Sequence, residues 1–232
     1  MARLRLIAVI EILACSGYPT QVAIAGTLAA AGVVPYGADG QLATRYVFAV
    51  TLLDAVAVVG LAAMFLRAHG ERGAEIFFGR RPRVREALVG LLLVPVVLAE
   101  AAVLMFAVAG LVPWLHNVTA NPFEGLVRTP ADALRFSLVA IVGGGVREEV
   151  QRAFILHRFE QHLGGGLVGL ALSSVAFGLG HLIQGRDVAV TTACLGAFWG
   201  AVYLRRRSLV STVVSHAGFN AAEILRFFVG GA

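Results

Sequence analysis

Residues 86–112 read EALVGLLLVPVVLAEAAVLMFAVAGLV, an almost unbroken apolar run in which only Glu86 and Glu100 carry charge. A helix needs about 20 apolar residues to cross the hydrocarbon core of a bilayer, so this run predicts a transmembrane helix. The rest of the chain has the same character. Of its 232 residues, 58% are apolar and 14% are charged, whereas a soluble domain has about 25% charged residues. This composition excludes a soluble globular domain.

The sequence predicts an all-α fold, a polytopic transmembrane helix bundle that forms a single integral membrane domain over residues 1–232. The predicted spans, about seven in number, cover residues 5–34, 44–66, 86–112, 132–160, 166–185, 188–204 and 208–229. The first span is longer than one crossing, and we expect Gly17 and Pro19 to kink it. The fourth span is also too long, and it contains three successive glycines followed by charged residues.

Arginine placement predicts the orientation in the membrane. The formal net charge of +5 rests on arginine alone, because the chain contains no lysine. A cytoplasmic N-terminus puts three arginine groups on the inner side, namely Arg3 with Arg5, residues 67–85 and residues 205–207, as the positive-inside rule favours. We expect a bacterial inner membrane and contact of the basic segment 79–90 with anionic lipids, and no nucleic acid as a partner.

Several ionisable residues lie deep inside apolar runs, where each costs at least about 2.5–3.5 kcal/mol. Glu11, Asp54 and Glu100 stand alone on their helices. Each is expected to be a protonated carboxyl that hydrogen-bonds to a neighbouring helix, and a proton relay is the alternative.

The fourth span differs, because residues 143–163 read GGGVREEVQRAFILHRFEQHL and place two adjacent carboxylates together. On a helix, Arg152 lies within one turn of both Glu148 and Glu149 and can neutralise either of them. Two neighbouring carboxylates cannot both ionise cheaply at low dielectric, so one is expected to keep a proton. A helix end in the membrane interface is the alternative interpretation, but the apolar residues that follow favour a submerged pair.

Two later spans carry histidines. His181 lies in SSVAFGLGHLIQG (173–185), and VVSHAGFNAAEIL (213–225) places His216, Asn220 and Glu223 on one helical face. A lone histidine of this kind is often a structural link between helices. Counting along the helices places Glu148, His181 and His216 within about 8 Å of one another along the membrane normal, so a shared polar site is feasible.

This set of residues predicts hydrolysis by an activated water, because no serine or cysteine stands beside a base. A carboxylate can deprotonate the water, and donors on His216 and Asn220 can stabilise an oxyanion. The alternative is a zinc ion held by Glu148, His181 and His216, a ligand type that catalytic zinc sites use. An HExxH helix, which would point to a metal, is absent from the sequence.

Three motifs on successive helices resemble those of the CPBP (Abi) intramembrane proteases, the type II CAAX prenyl endopeptidase-like proteins. They are REEVQR (147–152), FGLGH (177–181) and HAGFN (216–220). The resemblance covers a C-terminal core, residues 132–229, and leaves residues 1–130 matched only as membrane spans. One departure is the spacing EExxR where the family has EExxxR, with Ala153 in place of the expected arginine.

The resemblance implies an intramembrane endopeptidase of the glutamate type, with a metallo-endopeptidase as the alternative. Glu148 and His181 would activate water, and His216 with Asn220 would form the oxyanion hole. Glu149 and Arg152 would support the base. The implied substrate is a membrane-associated peptide or protein, prenylated or carrying a leader peptide, with no cofactor unless zinc is bound. Membrane lipids are the other expected partner.

Two other function classes stay open at the level of sequence. A proton-coupled transporter would use the additional intramembrane acids Glu11, Asp54 and Glu100. A catalytically silent immunity or binding protein on the same scaffold would explain the shifted arginine. The sequence assigns no role to Glu223.

Overall fold

The computed structural model describes residues 1–230, which are built almost entirely from helices. The helices are α1 (Ala2–Ala14), α2 (Tyr18–Ala30), α3 (Thr44–Ala68), α4 (Gly73–Phe78), α5 (Arg83–Leu111), α6 (Pro130–Ala140), α7 (Glu149–His162), α8 (Gly166–Leu179), α9 (Arg186–Arg206) and α10 (Leu209–Gly230). A π-helical segment, Ile141–Glu148, joins α6 to α7. Three short 3₁₀ turns cover Pro113–Leu115, Glu124–Leu126 and Leu182–Gln184. The predicted all-α class is confirmed.

Within residues 1–230, three helices are long and apolar enough to cross a membrane, namely α3, α5 and α9. The pair α1 and α2 is a fourth candidate, and its two helices are bent by 42°. The bend confirms the predicted kink, because Gly17 adopts a φ of 86° and Pro19 occupies the first turn of α2. The structure thus supports a helical membrane protein with three or four apolar spans by this criterion, and seven crossings stay a prediction.

Helix α7 lies at the centre of the bundle. It packs against α1, α3, α4, α8, α9 and α10, and most of its residues between Glu149 and Arg158 are buried. Phe154 and Leu156 form an apolar core with Leu66 of α3 and Tyr203 of α9. Since α7 also carries charged residues, its buried position requires a partner for each of them.

Ion pairs at the C-terminal half of α7 meet this requirement. Arg158 is 1% exposed, and its Nε donates to Oε2 of Glu11 in α1 at 2.6 Å. Its Nη1 donates to Oε1 of Glu71, in the loop after α3, at 2.6 Å. His157 contacts the other oxygen of Glu71 at 2.5 Å, and His69 contacts Glu11 at 2.7 Å. Glu11 is therefore the counter-ion of a buried arginine, which corrects the expectation of a protonated carboxyl.

Two of the predicted arginine groups meet at one end of the bundle. Nε of Arg81 donates to the backbone carbonyl of Arg206 at 3.1 Å. The Arg206 guanidinium binds both oxygens of Glu86 at 2.7 Å, and that of Arg207 binds both oxygens of Glu160. The loop before α5 and the loop after α9 therefore lie on the same side, as the predicted orientation requires.

We expect Glu71→Gln to lower the thermal midpoint of the purified protein by about 2–4 °C at pH 7, corresponding to about 1 kcal/mol. Burial opposes ionisation of Glu71, but hydrogen bonds from Arg158 and His157 outweigh it and lower the pKa of this carboxyl. A lowered folded-state pKa gives stability that is present above the unfolded pKa, about 4.3, and is lost as the pH falls through the folded value. The difference from wild type should therefore shrink in acid.

The matched control is Glu75→Gln, because the Arg72–Glu75 pair is exposed on both sides and such pairs contribute little to stability. Equal midpoints for Glu71→Gln and Glu75→Gln at pH 7 would contradict the role given to Glu71.

Candidate active site

The two adjacent glutamates lie where the π-helical segment passes into α7, and they face different surroundings. Glu149 is fully buried. Its Oε1 pairs with the Arg152 guanidinium and accepts a hydrogen bond from Nδ1 of His216 at 2.9 Å. Glu148 is partly exposed to a cavity, and its Oε2 lies 3.7 Å from Nε2 of His216. The pair is therefore divided into a buried, ion-paired carboxylate and an accessible one.

The π-helical segment brings the glutamates close to α10. Its three glycines, residues 143–145, leave room for neighbouring helices: a Cβ on Gly145 would lie 2.8 Å from Cβ of Ala217, and one on Gly144 would meet Nδ2 of Asn220. The same hypothetical Cβ on Gly144 would lie 3.5 Å from Nε2 of His216. π-helical turns occur frequently at functional sites, and here the turn sets the spacing between the carboxylates and α10.

His216 and Asn220 lie one turn apart on α10, as the sequence predicts. His216 is buried, and Asn220 is half-buried, with its Nδ2 donating to the carbonyl of Ala140 at 3.4 Å. Both side chains lie next to the space that a Cβ on Gly144 would occupy. Glu223, the third residue on this face of α10 by sequence, pairs instead with Arg226 at 2.7 Å and makes no hydrogen bond to the other site residues within positions 1–230.

Arg152 lies on the site face of α7, and Ala153 does not. The Arg152 guanidinium pairs with Glu149 and lies 4.7 Å from the centre of the Phe177 ring. Ala153 is fully buried in the apolar core beside Phe154. An arginine at position 153 would therefore enter the core, so the spacing EExxR is the one that directs a guanidinium to Glu149 in this chain.

His181 lies where α8 ends, rather than inside a continuous span. The α-helix stops at Leu179, and Nδ1 of His181 lies 2.8 Å from the carbonyl oxygen of Phe177. A carbonyl only accepts, so Nδ1 carries the proton and Nε2 has a lone pair available. The imidazole ring also packs edge-on against Phe177, with 4.8 Å between ring centres.

An open cavity of about 160 Å³ connects His181 with Glu148, a volume that holds several water molecules. It lies between the α1–α2 bend, the start of α7 and the end of α8. Its lining includes Tyr18, Gln21, Arg147, Glu148, Arg152 and His181. His216 and Asn220 do not line it, and Glu148 is the predicted catalytic carboxylate that both lines the cavity and lies near His216. Within residues 1–230, His181 makes no direct hydrogen bond to the other predicted site residues.

A second buried ion pair borders the cavity, and the sequence gave no clear signal for it. Nη2 of Arg147 lies 2.6 Å from Oδ2 of Asp54 in α3. Asp54 also accepts hydrogen bonds from Thr20 and from Nε2 of Gln21, both in α2. Asp54 is thus a counter-ion and not a protonated strut, which corrects the second of the three lone-acid expectations. A fixed pairing with arginine also weighs against a proton relay through Glu11 and Asp54.

The predicted zinc ligands do not converge on one point. Within residues 1–230, no group of three or more His, Cys, Asp or Glu side chains is placed to hold a metal. Both nitrogens of His216 face carboxylates, and His181 bonds to the backbone of its own helix. Glu148, His181 and His216 therefore do not form a preassembled three-ligand site of the kind that catalytic zinc uses.

Comparison with known proteins bears on the C-terminal part of the chain. Residues 130–222 match the model of a family described as type II CAAX prenyl endopeptidase Rce1-like. No curated protein and no solved structure matches the chain. The matched range runs from the start of α6 into α10 and contains all six predicted site residues. The family resemblance seen in the three motifs is thereby confirmed.

Proposed function

We propose, from the premise that residues 130–222 belong to the type II CAAX prenyl endopeptidase Rce1-like family, that this protein is an intramembrane endopeptidase of the glutamate type. The observation that carries the proposal is the position of Glu148. This carboxylate lines the open cavity together with His181 and also lies 3.7 Å from His216. It is thus the one residue of the set that faces both a place for water and the α10 donors.

In the proposed reaction, Glu148 removes a proton from a water molecule that also donates a hydrogen bond to Nε2 of His181. The resulting hydroxide attacks the carbonyl carbon of the scissile peptide bond. The carbonyl oxygen becomes an oxyanion, and Nε2–H of His216 and Nδ2–H of Asn220 donate to it. Glu148 then returns its proton to the leaving amine, and the C–N bond breaks.

The buried pair of Glu149 and Arg152 supports this chemistry by holding His216 on the side of its ring opposite Nε2. Glu149 accepts the Nδ1–H of His216 at 2.9 Å. With Nδ1 protonated, donation from Nε2 as well requires the doubly protonated ring, and the proposed mechanism uses that form. Arg152 balances the charge of Glu149, which stands fully buried, and thereby makes an ionised carboxylate tolerable inside the bundle.

The same proposal includes the finer topology. We infer seven spans, a cytoplasmic N-terminus and a bacterial inner membrane, supported by the meeting of the arginine segments around Arg81 and Arg206 at one end. A reporter that is active only outside the cytoplasm, fused after residue 232, tests this orientation and is expected to be active. An inactive reporter, together with an active cytoplasm-specific reporter at the same position, would overturn it.

The proposed substrate is a peptide segment of a membrane-associated protein, lipidated or carrying a leader sequence. The decisive assay uses the protein purified in detergent and a farnesylated peptide with a CAAX C-terminus, carrying a fluorophore and a quencher on either side of the bond after the cysteine. We expect cleavage by wild type and loss of cleavage in His181→Ala. A metal chelator is expected to leave the rate unchanged, because the donor set gathers no three-ligand site in residues 1–230.

Each arm of this assay can contradict a different part of the proposal. Undiminished cleavage by His181→Ala would remove the water-activating role. Loss of cleavage in chelator that zinc restores would show a metalloenzyme. Absence of cleavage of both this peptide and a leader-peptide substrate by folded wild type would overturn the endopeptidase itself.

A further inference from the structure

Trp199, in the middle of α9, is stacked on the imidazole ring of His216. The two ring centres are 3.8 Å apart and the planes differ by 14°. Trp199 is 1% exposed, and His216 is also buried. No motif contains Trp199, so its contact with a proposed oxyanion donor is a feature of the three-dimensional structure alone.

The indole is itself held in place from several directions. Its Nε1 donates to Oγ of Ser215 at 3.2 Å. Phe219 packs edge-on against it, and Val97 and Leu195 form a buried apolar cluster with it. These contacts surround the indole ring, and its polar end is hydrogen-bonded, so the ring has one orientation available. Trp199 is therefore a rigid surface for the ring of His216.

A single hydrogen bond does not fix the orientation of His216. The bond from Nδ1 to Glu149 holds one edge of the imidazole but leaves the ring able to rock about that contact. The stacked indole removes this freedom and directs Nε2 towards Gly144 and Glu148, which lies 3.7 Å away. An indole face also favours a positively charged ring placed against it.

We propose that Trp199 is a positioning residue for His216, which sets the plane of the imidazole so that Nε2–H reaches the developing oxyanion. This inference rests on the proposed function. Misplacing a catalytic group by about 1 Å can cost about 100-fold in rate. Loss of the stack should therefore lower kcat and leave KM nearly unchanged, because the indole lines neither the cavity nor its entrance.

The test compares Trp199→Leu, which removes the aromatic face, with Trp199→Phe, which retains a smaller one. With the farnesylated CAAX peptide, we expect kcat of Trp199→Leu to fall about 10- to 100-fold with KM within about twofold, and kcat of Trp199→Phe to recover most of the loss. The pH profile of kcat should also shift in Trp199→Leu. Trp114 is the matched control, since it is the other tryptophan and is 69% exposed, so Trp114→Phe should match wild type.

A second measurement needs neither substrate nor a Trp199 variant. In Trp114→Phe, Trp199 is the single tryptophan, and the emission of an indole depends on the group packed against its face. We expect the emission intensity to change when His216→Ala is added to this background. Unchanged emission would show that the stack is absent in solution.

The outcomes separate this inference from the proposed function. If Glu148 and His216 variants lose cleavage while Trp199→Leu keeps the wild-type kcat and pH profile, the positioning role is wrong and the protease assignment stands. If wild type cleaves neither substrate, the protease assignment fails, and the emission experiment still decides whether Trp199 contacts His216. Should Trp199→Leu fail to fold, Trp199→Met, which also lacks an aromatic face, carries the kinetic test, and a wild-type kcat in this variant overturns the inference.

Discussion

Glu148→Gln is expected to lower kcat for the farnesylated peptide about 1000-fold while the protein keeps its fold and its thermal midpoint. Glutamine has nearly the same size as glutamate but cannot accept the proton of the attacking water, and general base catalysis contributes about 10²–10⁴-fold. The contacts of Glu148 to Arg147 and His216 are long, at 3.9 and 3.7 Å. Their loss should therefore cost little stability.

Glu149→Gln should behave differently, although the two residues are adjacent. Glu149 is fully buried between Arg152 and His216, and breaking a buried ion pair costs about 3–5 kcal/mol. This variant should unfold at a clearly lower temperature, in addition to losing activity. The control for both is Glu100→Gln, which changes a half-buried carboxyl on α5 outside the site. Cleavage by Glu148→Gln at half the wild-type rate would place the base elsewhere.

The helices were predictable because they depend on local information. Apolar runs of sufficient length indicate spans whatever their neighbours are, and the Gly17–Pro19 kink follows from backbone properties of these residues. The motif residues were also predictable as a set, since an ionisable residue in an apolar run must have a partner. The sequence of an apolar run does not specify which residue of another helix becomes the partner of its ionisable residue.

The different surroundings of Glu148 and Glu149 show this limit. Helical periodicity treats adjacent residues as facing about 100° apart, but the π-helical segment just before them changes the register by which α7 faces α10. The sequence therefore supplied the pair, and the tertiary packing decided which member is buried. Asp54 and Arg147 form an ion pair across more than 90 positions, and nothing local in either run indicates it.

Depth within the membrane was predicted only roughly. Counting from the middle of each run spread the site residues over about 8 Å. The structure gives a better reference, because α7 and α8 are joined by the short turn at 163–165. Both helices are 14 residues long, about 21 Å, and Glu148 directly precedes α7 while His181 closely follows α8, so the two residues lie near the same end of the helix pair. The contact between Trp199 and His216 could not be predicted, because the sequence around an aromatic residue in an apolar run does not indicate which residue of another helix packs against it.

Gly144→Ala is expected to lower kcat about 100-fold with little loss of stability. The added methyl group would meet Nδ2 of Asn220 and would lie 3.5 Å from Nε2 of His216, so it would fill the space between the two proposed oxyanion donors. Removing one such donor costs about 10²–10³-fold in kcat. Asn220 can swing away from the methyl group, and alanine is favoured over glycine inside a helix by about 1 kcal/mol, so the fold should survive.

The matched control is Gly60→Ala in α3, where a Cβ would meet nothing within 4 Å. It makes the same chemical change in another helix interior, and it should leave kcat unchanged while raising the thermal midpoint slightly. If Gly144→Ala cleaves the peptide as fast as Gly60→Ala, the face of α10 that carries His216 and Asn220 does not hold the oxyanion. Because a methyl group removes neither side chain nor charge, a selective loss in Gly144→Ala would locate the reacting carbonyl against this glycine.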